Sequence, residues 1–124
     1  MKILLVDHSP AVRRIEVHIL SLMGLSDVKQ AEDGASALKR LQSEAYGLVI
    51  ADWDLPNMSG LELLEKIRTQ DALKKIPVLM VVTEVNDKII MLSARAGVSS
   101  LIVKPFTINS LREKIDNLFP YIPK

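Results

Sequence analysis

The chain has no cysteine, which excludes disulfide staples, thiolate metal sites and thiol nucleophiles. It also lacks an excess of charge of either sign. Sixteen Lys and Arg stand against fifteen Asp and Glu, a formal net charge of +1. The basic residues are scattered, and adjacent pairs such as Arg13-Arg14 and Lys74-Lys75 fit solvated helix faces. Neither nucleic acid nor an anionic membrane is therefore an expected partner. Long apolar runs are missing too. Ile3-Leu4-Leu5-Val6 and Val78-Leu79-Met80-Val81-Val82 are far too short to span a bilayer. Asp7 arrives before a signal-peptide core could form, so the cytoplasm is the expected compartment. No linker, repeat or low-complexity segment interrupts the 124 residues, and positions 1–124 are expected to form one domain.

Apolar residues make up 48% of the chain and charged residues 25%, the balance of a folded protein with a solvated surface. Short continuous apolar runs, suited to buried parallel strands, alternate with longer amphipathic stretches. Strands are expected over residues 2–6, 27–31, 48–51, 78–82 and 101–103. The first helix starts at Ser9-Pro10, an N-cap with Pro at the first helical position, and ends at Gly24. Its expected core stripe is Val12, Ile15, Ile19 and Leu22. The second follows an Asp33-Gly34 turn with Ala35, Leu38 and Leu41 inward, and the third opens at Ser59-Gly60 with Leu61, Leu64 and Ile67 inward. The fourth runs from about Asn86 to Gly97, and the fifth buries Ile108, Leu111, Ile115 and Leu118 before Pro120. Met23, Met80 and Met91 read as core fillers, and His18 as a surface residue. Five strands alternating with five helices make an α/β fold, a doubly wound five-stranded parallel sheet. Right-handed crossovers favour the flavodoxin-like strand order 2-1-3-4-5.

Ligands of such sheets bind beyond the carboxyl ends of the strands, where strand order reverses. Here that point lies between the first strand, ended by Asp7, and the third, ended by Asp52. Neighbouring strands are about 4.8 Å apart, so the two carboxylates share one cleft, with Asp54 in the loop above. Two such anions about 4 Å apart repel by about 4 kcal/mol at an effective dielectric near 20. Lys104, ending the fifth strand, can offset that repulsion, and a hard divalent cation such as Mg²⁺ would complete the balance. An aspartate held in this way can attack phosphorus in line while cations neutralise the equatorial oxygens. The acyl phosphate formed adds charge that can bias a bistable surface.

With these residues in place, a family resemblance becomes specific. Leu5-Val6-Asp7, Ala31-Glu32-Asp33-Gly34, Asp52-Trp53-Asp54-Leu55-Pro56-Asn57-Met58, Gly60-Leu61-Glu62-Leu63-Leu64, Pro77-Val78-Leu79-Met80 and Val103-Lys104-Pro105-Phe106-Thr107 together cover essentially the whole chain. In these stretches the sequence resembles a two-component response-regulator receiver. The resemblance implies that Asp52 accepts a phosphoryl group from a sensor histidine kinase. It implies that Asp7, Asp52 and the backbone carbonyl of Asp54 hold Mg²⁺, that Lys104 contacts the phosphoryl group, and that the Lys104-Pro105 bond is cis. It places an output surface on the fourth helix, fifth strand and fifth helix, including Ile90, Leu101 and Lys114. No DNA-binding segment follows in this sequence, so the expected output is a protein contact in trans, with the flagellar motor switch as the natural target. A monomer without enzymatic turnover is expected.

Three positions depart from the family pattern. His8 stands where a second acid is usual, and imidazole suits Zn, Cu, Fe or Ni better than Mg²⁺. As a bland alternative, His8 is a solvated loop histidine. Val82 occupies the family's hydroxyl position counted without gaps, and Thr83 follows it. A one-residue shift reverses a strand side chain, so Thr83 is read either as a phosphoryl contact reached through a local adjustment or as a helix N-cap. Leu101 replaces an aromatic frequent in relatives. Asp7 and Lys104 could also be no more than a cap and its ion pair, while Trp53 reads as a packing residue at the cleft rim and Ser59 as a helix cap. Two other functions stay in view. A pseudo-receiver would act as a phosphorylation-independent interaction module. Asp52-Trp53-Asp54 also has the D-x-D form of acyl-phosphate phosphatases, although those place it after their first strand.

Overall fold

Three all-apolar runs that begin strands, Ile3–Val6, Val78–Val82 and the start of Leu48–Asp52, are buried along their whole length. Only a sheet covered on both faces hides such runs. The computed structural model, which describes residues 1–120, shows that sheet; the last four of the expected 1–124 lie outside the described residues. The elements in chain order are β1 (Ile3–Val6), α1 (Pro10–Leu22), β2 (Val28–Ala31), α2 (Gly34–Ser43), β3 (Leu48–Asp52), α3 (Gly60–Thr69), β4 (Val78–Val82), α4 (Asp87–Ala96), β5 (Ser100–Val103) and α5 (Ile108–Leu118). All strand pairs are parallel and the order is β2-β1-β3-β4-β5, as expected from the sequence.

Strand alternation divides the core into two layers. Leu4, Val6, Val49, Ala51, Met80 and Val82 pack with Ala37 and Leu41 of α2 and Leu63, Leu64 and Ile67 of α3. Ile3, Leu5, Ile50, Leu79, Val81 and Ile102 pack with Leu20 of α1 and Leu111 and Ile115 of α5. Side chains cap the helices as the turn chemistry requires. Ser9 Oγ accepts from the Val12 N–H at 3.2 Å, Ser59 Oγ from Glu62 at 3.1 Å and Asn86 Oδ1 from Ile89 at 2.9 Å. Asp33 is more than a turn residue, since its carboxylate caps α2 by accepting from Ser36 at 2.8 Å. Gly97 ends α4 at φ +88°, a conformation glycine adopts without strain.

Several expected helix faces are rotated. In α1, Ile15 and Leu22 are 60% and 59% exposed, whereas Glu16 and Leu20 are buried. The helix carries two overlapping apolar stripes, 12/15/19/22 and 17/20/23, and the charge of Glu16 made the first look like the inner one. The helix buries the second, with Val17 and Met23 packed against the core, and of the first stripe Ile19 joins them. In α2, Ala37 is buried and Ala35 exposed; in α3, Leu63 is buried and Leu61 only half-buried. Met91 is 49% exposed on α4 and fills no core, unlike Met80. Alanines and methionines carry too little pattern of their own to fix a helix rotation.

Candidate functional site

The β1–β3 register pairs Val6 with Ala51, so Asp7 and Asp52 emerge side by side at the carboxyl edge. Alternation then fixes their direction. Asp7 continues Ile3 and Leu5, Asp52 continues Ile50, and Lys104 continues Ile102, all in the layer covered by α1 and α5. Asp7 is 3% exposed and Asp52 2%. The Ser9 N–H donates to Asp7 Oδ1 at 2.8 Å, and the Asp54 N–H donates to Asp52 Oδ1 at 2.9 Å. Lys104 Nζ donates to Asp52 Oδ2 and lies 3.8 Å from Asp7 Oδ2, bridging both carboxylates. The Arg13 guanidinium donates to the Asp7 carbonyl and, through Nε, to Gln30 Oε1 at 2.9 Å, which pins the β1–α1 turn. The Lys104-Pro105 bond is cis.

Burial pushes the Asp7 carboxyl above its usual pKa, and its hydrogen bond to Asp52 and the charge of Asp52 push the same way. Burial works against the Lys104 ammonium, but its hydrogen bond to Asp52 and the charges of Asp52, Asp7 and Glu16 outweigh that effect. The lysine pKa is held above its ordinary value.

The α3 start closes the site from behind. The Gly60 N–H donates to the Trp53 carbonyl at 2.8 Å. A Cβ at Gly60 would lie 2.2 Å from the Asp52 carbonyl oxygen, so only glycine permits this approach. Trp53 packs half-buried against the α2–α3 layer, a rim residue as expected. Asp54 turns its side chain to solvent and offers Asp52 its backbone N–H, which is not the arrangement of a second catalytic acid. Its D-x-D motif follows the third strand rather than the first.

The two hydroxyl-position candidates separate cleanly. Val82 is buried in the opposite layer, with Val6 and Met80. Thr83 continues the parity of Leu79 and Val81, and it lines a cavity of about 380 Å³ together with Lys104. The capping alternative for Thr83 is corrected, because Asn86 caps α4. His8 and His18 are both exposed. Among the described residues, no three His, Cys, Asp or Glu side chains are grouped to hold a metal, so His8 completes no ligand set with Asp7 and Asp52. Two buried carboxylates beside an open loop still fit Mg²⁺, which keeps several waters and takes one or two carboxylates. Ile90 is exposed on α4, and Leu101 and Lys114 are half-buried on β5 and α5, all along the β5 edge of the sheet.

Sequence reasoning missed Glu16. It is 4% exposed on the inner face of α1, lines the same cavity as Lys104 and Thr83, and its Oε1 has no hydrogen-bond partner among the described residues. Burial, reinforced by Asp7, pushes its pKa up to about 7. The available signal was its place four residues before Leu20, between Ile15 and Val17.

This geometry agrees with what the chain is similar to. Over 119 residues it is 42% identical to the chemotaxis protein CheY-3 of Vibrio cholerae, covering 96% of this chain and 92% of that protein. It is 41% identical to the chemotaxis protein CheY of Pseudomonas aeruginosa, covering 96% of each. The structure of the Vibrio cholerae chemotaxis protein CheY4 superposes with a TM-score of 0.89 at 30% identity, over 95% of this chain and 98% of that one. Residues 3–116 match the response regulator receiver domain. The chain belongs to the response-regulator receiver family of two-component signalling.

Proposed function

We propose that the chain is a phosphorylation-switched signalling receiver of the chemotaxis type, with Asp52 as its phosphoacceptor. The observation that carries this reading is the Lys104 ammonium bridging two nearly solvent-free carboxylates at the switch point of the sheet. An Asp52 carboxylate oxygen attacks the phosphorus of a kinase phosphohistidine. The P–N bond breaks, imidazole leaves with the electron pair and takes a proton, and an acyl phosphate remains. Lys104 then exchanges carboxylate contact for the phosphoryl oxygens, and Thr83, on the same face, donates its hydroxyl. The Asp54 N–H holds the other Asp52 oxygen in place. Asp7, Asp52 and the Asp54 carbonyl would hold Mg²⁺, which neutralises phosphoryl charge when bound. The β5 edge with Ile90, Leu101 and Lys114 carries the change to a protein partner, the flagellar motor switch being the target that fits chemotaxis relatives.

The buried Val82 favours one second reading, a pseudo-receiver that binds its partner without phosphorylation. Incubation with Mg²⁺ and a small phosphodonor, followed by intact-mass measurement, separates the two. The expected result is one phosphoryl equivalent on the native chain and none on Asp52→Asn. No gain from any small donor or histidine kinase would leave the pseudo-receiver.

A further inference from the structure

Glu16 is a buried charge to which the phosphoryl-transfer scheme gives no task. A carboxylate taken out of water without a hydrogen-bond partner is expensive, and such groups persist near compensating charge. Its position supplies one positive charge, the Lys104 ammonium, against the repulsion of Asp7 and Asp52. Glu16 sits in the α1–α5 layer into which Asp7, Asp52 and Lys104 project, and it shares a cavity wall with Lys104. Its electrostatic neighbours, strongest first, are Asp7, Lys104 and Asp52. Three carboxylates therefore share one ammonium, which leaves two negative charges uncompensated when all are ionised. That surplus equals the charge of one divalent cation. At the end of β1 the chain carries exposed His8 where receivers usually have a second acid, and Glu16 adds a negative charge from the helix, on the cavity wall it shares with Lys104.

We infer that Glu16 is the third anion of the divalent-cation site, supplying from α1 the negative charge that His8 withholds beside Asp7. It acts through space on the cation rather than as a ligand, since no three-carboxylate ligand group is present among the described residues. The inference rests on the receiver reading, and one titration distinguishes the failure of each. Mg²⁺ binding is measured by calorimetry and by Trp53 fluorescence at mildly alkaline pH, with folding checked by circular dichroism. Glu16→Gln is expected to weaken Mg²⁺ roughly five-fold, and Asp7→Asn to weaken it far more. Glu16→Asp, which keeps the charge, is expected to retain affinity if Glu16→Gln does not fold. Adding His8→Asp to Glu16→Gln is expected to restore the loss. Native affinity in Glu16→Gln, or a loss that His8→Asp does not repair, overturns the inference and leaves the receiver reading intact. Absence of Mg²⁺ binding by the native chain overturns both.

Discussion

Replacing Glu16 with leucine is expected to stabilise the metal-free protein by about 3 kcal/mol at pH 8, and by much less at pH 4. The sign follows from linkage. The folded-state pKa of Glu16 is raised from 4.5 to about 7, so the folded protein binds this proton more tightly than the unfolded chain. Below pH 4.5 both states hold the proton and the group carries no penalty. Between pH 4.5 and 7 the unfolded chain ionises first, and native stability falls as pH rises. Above pH 7 the loss is constant, near 1.4 kcal/mol for each pKa unit between the two states. Leucine removes the titration and can join Leu20 in the α1–α5 layer. Urea unfolding in the presence of a chelator, repeated from pH 4 to pH 8, measures the difference between native and variant. A difference that does not change with pH would show that Glu16 is not desolvated in the folded state.

Stability and function then oppose each other at one residue. The charge that weakens the apo fold is the charge proposed to attract the cation, a trade familiar from functional sites. Added Mg²⁺ is therefore expected to stabilise the native chain more than Glu16→Leu, because a ligand that binds only the folded state adds stability that grows with its affinity.

Much of this fold was legible because local chemistry and global pattern agree. Ser9-Pro10, Ser59-Gly60 and Asn86 mark helix starts by residue type, and Gly97 marks an end. Asp7, Asp52 and Lys104 were legible because each polar residue directly follows an apolar run, and parallel strands must deliver all three to one edge. The inner face of α1 was not legible, since two apolar stripes compete and the helix buries the one that adjoins an acid, Glu16. Glu16 was hidden for the same reason. Hydropathy patterns place charges outside, and only the Lys104 ammonium, visible once the chain is folded, offsets part of the cost of this one being inside. Thr83 sits between these cases. Its parity with Val81 was readable from the sequence, but which layer received that parity depended on the sheet being assembled.

A second large effect is expected at Gly60, where two known tendencies have opposite signs. Alanine within a helix is favoured over glycine by about 1 kcal/mol, so Gly60→Ala at the start of α3 would be stabilising on propensity alone. Sterics point the other way. The added Cβ would meet the Asp52 carbonyl oxygen at 2.2 Å and the Trp53 Cα at 2.8 Å, and both are backbone atoms that cannot rotate away. Relief requires α3 to move off the end of β3, breaking the Gly60 N–H to Trp53 carbonyl bond. Overpacking of this kind typically costs about 1–3 kcal/mol, and the lost buried hydrogen bond adds about 1 kcal/mol more. A net destabilisation of about 1–3 kcal/mol is therefore expected once the propensity gain is subtracted, measurable as a lower urea midpoint with an unchanged slope. Ser59→Ala, which removes only the α3 cap, is the control and should lose about 1 kcal/mol. Because the moving backbone carries Asp52 and the Asp54 N–H that orients it, Gly60→Ala should also slow phosphodonor labelling, while Ser59→Ala should label normally. A Gly60→Ala protein as stable as the native chain would mean that α3 is free to shift, and that Asp52 is not held by the close approach of that helix.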